Sequence, residues 1–158
     1  MCHVDGGNLR GVTSLVSVTY LDAIRSAQER ALREDPRVFL YGQDIGRFGG
    51  AFKATKNLAE KFPGRVMDSP ISEDAMVGMA VGAAMEGMRP IVEMQFADFV
   101  STGFNPIVNL LAKSHYRWLE KADVVVRMPC GGGTQAGPFH SQTNEAWFTK
   151  TPGLKEIN

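Results

Sequence analysis

The sequence predicts an α/β fold, a parallel sheet with helices on both faces, and two observations carry that expectation. Short aliphatic runs of strand length at 38–41, 66–68, 91–94 and 124–128 alternate with longer segments of helical period. Strands separated by helices pair in parallel, because a parallel neighbour is reached only through a crossover long enough to hold a helix. The second observation is composition: 44% apolar and 22% charged residues over 158 positions supply one well-buried core and exclude a disordered chain.

The elements follow in order. Residues 1–14 read as a flexible lead-in and residues 15–158 as one domain. Thr19, three residues before Asp22, forms a variant capping box and opens a helix with Leu21, Ile24, Ala27, Ala31 and Leu32 on its apolar face. Pro36 ends that helix, and Gly42 stops the first strand. Residues 44–51, with Gly46, Gly49 and Gly50, read as a loop, and 55–62 as a second helix closed by Pro63 and Gly64. After the second strand comes a turn at Ser69-Pro70. Ser72 then caps a third helix over 73–86, with Gly87 at its end. A fourth helix is expected over 102–118, with Pro106 in its first turn. A glycine-rich loop at 130–138 follows the last strand, and 144–148 reads as one more helical turn.

Several function classes drop out. Seventeen Lys and Arg against seventeen Asp and Glu leave no field to attract nucleic acid or an anionic membrane. The longest apolar window, 76–88, contains three glycines and Glu86 and falls short of the ~20 residues a membrane span needs. Residues 1–10 carry no apolar run of signal-peptide length. Two distant cysteines make no disulfide framework, and Cys2 beside His3 has no second ligand pair at zinc spacing. No Gly-x4-Gly-Lys-Ser/Thr loop occurs, and no Gly-x-Gly-x-x-Gly opens a helix after a strand.

Ligands of open α/β sheets gather beyond the carboxyl ends of the strands, here the segments 42–50, 69–73 and 130–142. Glu73 stands out among them. It occupies the first turn of a helix, where the dipole favours a carboxylate. Gly78 and Gly82 behind it, one turn apart, strip side chains from one helix face, so that another backbone can approach closely.

Glu73-x4-Gly78-Met79-x-x-Gly82 resembles the pattern of the pyrimidine-binding domain of thiamine-diphosphate enzymes. The surrounding blocks resemble, more narrowly, the beta subunits of 2-oxo acid dehydrogenase E1 components. They are Gly42-Gln43-Asp44-Ile45-Gly46, Phe48-Gly49-Gly50-Ala51-Phe52, Asp68-Ser69-Pro70-Ile71-Ser72-Glu73, Gln95-Phe96-Ala97-Asp98-Phe99, His140-Ser141-Gln142 and Thr151-Pro152-Gly153-Leu154-Lys155. They occur in order between about Val18 and Lys155, and the ordered set is far more specific than any single block.

The resemblance implies the pyrimidine-domain fold and a role for each matching residue. The glutamate at the Glu73 position hydrogen-bonds the cofactor's aminopyrimidine and promotes the proton loss that starts decarboxylation of a 2-oxo acid. Such a carboxyl must exchange its proton near neutral pH, which burial favours. Phe99 matches an aromatic that packs on the pyrimidine ring, often Tyr in relatives. Ile71 and Ser72 flank the cofactor, and His140 matches a histidine near the substrate and lipoyl entry. Ala122, Val124 and Val125 align with backbone ligands of a structural K⁺ in some relatives, whose remaining ligands would lie beyond Asn158. Asp74-Ala75 departs from the pair common after the glutamate and places a second acid beside Glu73.

The family also implies partners. Thiamine diphosphate and Mg²⁺ would be held mainly by an alpha subunit or domain, whose Gly-Asp-Gly…Asn motif is not found here. A second beta chain would complete a heterotetramer, a lipoyl acyltransferase would accept the acyl group, and a C-terminal transketolase-type domain would be missing. The chain would be cytoplasmic if bacterial, and in the mitochondrial or plastid matrix if eukaryotic. Two readings stand beside this one: a transketolase-type or acetoin dehydrogenase subunit fragment, and a catalytically silent α/β assembly module. The blocks at 95–99 and 140–142 resemble the dehydrogenase branch rather than transketolase.

Overall fold

The computed structural model describes residues 17–157. Most of the expected lead-in, with Cys2 and His3, lies outside the described residues. The first helix, α1 (Tyr20–Glu34), starts as the capping box requires: Thr19 Oγ1 accepts the Asp22 N–H at 3.1 Å. Of the expected face, Leu21, Ile24, Ala31 and Leu32 are buried or half-buried, while Gln28 is buried in place of the exposed Ala27. Arg25 also turns inward and donates to the Lys53 carbonyl at 2.7 Å.

Four strands follow: β1 (Val38–Gly42), β2 (Val66–Asp68), β3 (Arg89–Glu93) and β4 (Val125–Arg127), in the spatial order β2-β1-β3-β4 with every pair parallel. The helix α2 (Leu58–Lys61) joins β1 to β2, and α3 (Glu73–Met85) joins β2 to β3. The chain steps outward from β1 and then back across it. Right-handed crossovers taken in opposite directions put their helices on opposite faces. The packing agrees. Val38, Leu40, Val66 and Ile91 pack with Leu32 and Leu58 on one face, while Val92 meets Met76 and Ala80 of α3 on the other. Val77, Val81, Met94, Val100, Ile107, Val108 and Phe148 extend the α3 face into the largest core cluster. The α/β architecture with helices on both faces is therefore as the sequence predicts.

Two helices differ from expectation. The second is confined to α2, because Asn57 adopts a left-handed backbone (φ 66°) and Thr55 Oγ1 donates to the Ile45 carbonyl at 2.6 Å, folding 53–57 back onto the preceding loop. The single helix expected over 102–118 is instead a π-helical segment (Pro106–Leu111) and a short α4 (Ser114–Trp118), preceded by a 3-10 segment (Ala97–Ser101). Pro106 offers no N–H, and the Ala112 N–H reaches back five residues to the Ile107 carbonyl at 2.9 Å, the signature of a π turn. Leu119, left-handed at φ 60°, ends α4. Ser72 occupies the N-cap position of α3, but its hydroxyl caps nothing.

Pro90 lies inside β3, a central strand. Arg89 N–H donates to the Arg37 carbonyl on the β1 side, so the Pro90 nitrogen faces the β4 side, where pairing begins only at Ile91↔Val125. Gly42 is required at the end of β1, because a Cβ there would overlap the Glu93 carbonyl of β3. Glu93 in turn makes a two-point ion pair with Arg127, Nη2 to Oε1 at 2.9 Å and Nε to Oε2 at 3.1 Å, across the β3–β4 pair.

Two outcomes are expected. Gly42→Ala forces β1 and β3 apart and lowers unfolding stability in urea by about 1–3 kcal/mol. Asp35 accepts from the Arg37 N–H, Nε and Nη2 and from Arg89 Nη1, and Arg37 above all holds its carboxyl down at about 2. A lowered folded-state value stabilises above the unfolded value of 3.8 and is lost as pH falls through about 2. The stability gap between the parent and Asp35→Asn, followed by urea melts against pH, is therefore present at neutral pH and closes across that acid window.

Candidate functional site

Strand order reverses between β1 and β3, because β1 leads outward to β2 and β3 outward to β4. The carboxyl ends of these two neighbours form the crevice where open α/β sheets place ligands. Gln43 follows β1 directly, residues 94–102 follow β3, and Glu73 opens α3 beside both.

Glu73 is 8% exposed, so its carboxyl needs hydrogen-bond partners. Gln43 Nε2 donates to Oε1 at 2.8 Å, and Thr102 Oγ1 lies 3.1 Å from Oε2. The two donors come from segments that follow different strands, and each serves a different carboxyl oxygen. Asp74, the neighbouring acid, is exposed and faces away from this pair. Gln95 Nε2 donates to Asp44 Oδ2 at 2.8 Å, tying the two strand-end loops together.

The segment that supplies Thr102 also carries Phe96 and Phe99, two members of an aromatic wall. His140 packs edge-on against Phe96 (centroids 4.8 Å apart) and Phe99 (5.4 Å), and Phe52 meets Phe96 at 5.5 Å. The Phe99 carbonyl lies 2.9 Å from Thr102 Oγ1, so the wall and the carboxyl share one hydroxyl. The His140 loop is fixed from below. Asp98 Oδ1 accepts from Gln142 Nε2 at 2.8 Å and from the Gln142 N–H at 3.2 Å, while Asn144 Nδ2 donates to the Ala97 carbonyl. Asp98 Oδ2 is buried without a partner.

The structure thus brings Glu73, Phe99 and His140 into one neighbourhood. It leaves Ile71 at its edge, 85% exposed, and gives the Ser72 hydroxyl no bond to α3. Ala122, Val124 and Val125 lie at the amino end of β4, across the sheet from Glu73, with the Ala122 carbonyl accepting the Val124 N–H. Among the described residues no group of three or more His, Cys, Asp or Glu is placed to hold a metal ion, and no helix is long and apolar enough to cross a membrane. A cleft of about 890 Å³ along β4 is lined by Phe52, Phe96, Arg127 and His140 but not by Glu73.

Gln43, Thr102 and Asp98 are the site residues that the sequence does not single out. Gln43 had a signal, a polar side chain immediately after a strand-ending glycine. Thr102 had none, because a continuous helix over 102–118 would have pointed it elsewhere.

The Asp98–Gln142 contact generates an expected outcome. Asp98→Ala removes a charged acceptor of two hydrogen bonds and costs roughly 1.5–3 kcal/mol. Hydrogen exchange of the Gln142 amide then accelerates, and Asp98→Asn, which keeps one carbonyl acceptor, gives a smaller change. Unchanged exchange in the alanine variant would mean that the loop is held elsewhere.

Comparison with known proteins agrees with this fold. The family model described as the transketolase pyrimidine-binding domain matches residues 16–158. The chain is 49% identical over 145 residues to the 2-oxoisovalerate dehydrogenase subunit beta of Bacillus subtilis, covering 89% of this chain and 44% of that protein. It is 43% identical over 147 residues to the pyruvate dehydrogenase E1 component subunit beta of Mycoplasma genitalium, covering 91% of this chain and 45% of the relative. A mitochondrial 2-oxoisovalerate dehydrogenase subunit beta of Chaetomium thermophilum is 46% identical over 140 residues, covering 85% of this chain and 30% of that protein. A solved structure titled a split gene transketolase, inactive beta4 tetramer, shares the fold, with a TM-score of 0.63 over 83% of this chain and 40% of that one at 22% identity. The chain spans less than half the length of these relatives. With its parallel sheet, its switch-point crevice and the buried glutamate that opens α3, the chain belongs to the transketolase pyrimidine-binding domain family.

Proposed function

We propose that this chain is the aminopyrimidine-binding half of a thiamine-diphosphate-dependent 2-oxo acid dehydrogenase E1, acting with an alpha subunit or domain. The observation that supports it is the buried Glu73 carboxyl at the sheet's switch point, with one protein donor near each oxygen. Each oxygen keeps a lone pair for a ligand nitrogen, and the wall of Phe96, Phe99 and His140 offers an apolar face next to it. As the family resemblance implies, the diphosphate and its Mg²⁺ are held mainly by the alpha partner.

When bound, thiamine diphosphate supplies the nucleophilic carbon and the electron sink that decarboxylation needs. The chain's own residues do the rest. Glu73 accepts a hydrogen bond from, or shares a proton with, the pyrimidine ring nitrogen. Gln43 and Thr102 keep its two oxygens aimed. Phe99 packs against the ring and keeps water from it, having lost the hydroxyl that a tyrosine would carry. His140, at the mouth of the cleft, orients the carboxylate of the 2-oxo acid or donates a proton during acyl transfer. Ile71 and Ser72 line the approach through their backbone.

The substrate is a 2-oxo acid of the pyruvate or branched-chain class, and the acyl group passes to the lipoyl group of an acyltransferase. A second beta chain completes the heterotetramer. In a structural K⁺ site the carbonyls of Ala122, Val124 and Val125 would contribute far from the chemistry. Location follows the source: cytoplasm in a bacterium, mitochondrial or plastid matrix in a eukaryote.

Two measurements test this. Glu73→Gln in the complete enzyme keeps its melting temperature and loses roughly 10²-fold or more in turnover, the usual worth of a positioned acid–base group; near-normal turnover would sink the assignment. Calorimetric titration of thiamine diphosphate with Mg²⁺ gives weak or no binding to the chain alone and full binding once the alpha partner is added. Tight binding by the chain alone would contradict the division of the site.

A further inference from the structure

We infer that Thr102 is a positioning residue for Glu73, its hydroxyl serving the carboxyl in both protonation states. The inference rests on the proposed role of Glu73. Thr102 Oγ1 lies 3.1 Å from Glu73 Oε2 and 2.9 Å from the Phe99 carbonyl. A hydroxyl has one proton to give and two lone pairs to receive with, so it cannot donate to both oxygens at once. With Glu73 ionised, the hydroxyl donates to Oε2. With Oε2 protonated, that proton is donated to Oγ1 and the hydroxyl turns its own hydrogen to the Phe99 carbonyl. Only a rotation about the Cβ–Oγ1 bond separates the two arrangements, and no heavy atom moves. A group that gains and loses a proton in each turnover then stays aimed throughout.

The hydroxyl is held where this works. Residues 102–103 sit directly on the first turn of α3: a Cβ on Gly103 would come within 3.2 Å of the Glu73 carbonyl and 3.1 Å of Met94 Cε. Gln43 cannot stand in, because its Nε2 is donor-only and reaches the other oxygen. Thr102 is exposed while Glu73 is buried, so a change of side chain there disturbs little packing.

Thr102→Val removes the hydroxyl at nearly constant volume, and Thr102→Ser keeps it. In the complete enzyme Thr102→Val lowers kcat roughly tenfold, the worth of about one hydrogen bond, with KM little changed, and Thr102→Ser restores kcat. In cofactor-free protein, infrared difference spectra against Glu73→Gln isolate the Glu73 carboxyl band. That band shifts in Thr102→Val and keeps its parental position in Thr102→Ser. A parental kcat and an unmoved band in Thr102→Val overturn the inference, as does a serine variant as impaired as the valine one. Should Thr102→Val melt below the assay temperature, Thr102→Ser and the band carry the test alone. If Glu73→Gln itself keeps near-normal turnover, it is the proposed function that fails; if Glu73→Gln is inactive and Thr102→Val is not, only the present inference does.

Discussion

A carboxyl taken out of water must find hydrogen-bond partners or forfeit several kcal/mol, and the burial of Glu73 places that demand at the centre of this fold. Its side-chain partners come from outside its own helix. Gln43 from the end of β1 and Thr102 from the segment after β3 meet the demand. Three chain segments separated by about thirty residues each are thereby fastened at one point. Apolar packing beneath them, with Met76, Ala80 and Val92 almost fully buried, sets the height at which α3 presents its glutamate.

Topology makes that point available. Two crossovers of the same hand, taken in opposite directions, leave β1 and β3 adjacent with their carboxyl ends free of connecting helices. Close approach of the two strands is permitted by Gly42, whose missing Cβ leaves space for the Glu93 carbonyl. The Glu93–Arg127 pair then carries the alignment to β4. From β4 the chain returns over the site as the His140 loop, pinned by Asp98 and Asn144. The aromatic wall and the carboxyl therefore belong to one mechanical unit, in which a change at Asp98 is felt at His140.

The glycines behind Glu73 have a different place. Gly78 is half-buried and Gly82 exposed, and a Cβ on either would meet nothing within 4 Å among the described residues outside its own helix backbone. Their bare face is not explained by packing within the described residues. It is consistent with relatives more than twice as long as this chain, and with the division of the site between two chains proposed above.

Strand positions, the capped start of α1, the register-breaking prolines and glycines and the prominence of Glu73 were legible in the sequence. They are local properties: hydrophobic period, capping chemistry and backbone freedom act over a few residues. Helix length was legible only in part. The second helix was cut short where Thr55 bonds back to the 44–50 loop, and the segment after Pro106 turned π-helical where Ile107 and Val108 pack with the α3 face. The partners of Gln43, Thr102 and Asp98 were not legible, because each lies 29 to 44 residues away. By itself the sequence determined where the strands and the two long helices fall and that a carboxyl opens α3. Only the tertiary structure decided what surrounds that carboxyl, since hydrogen-bond partners are set by the crossing of strand ends in space and not by their spacing along the chain.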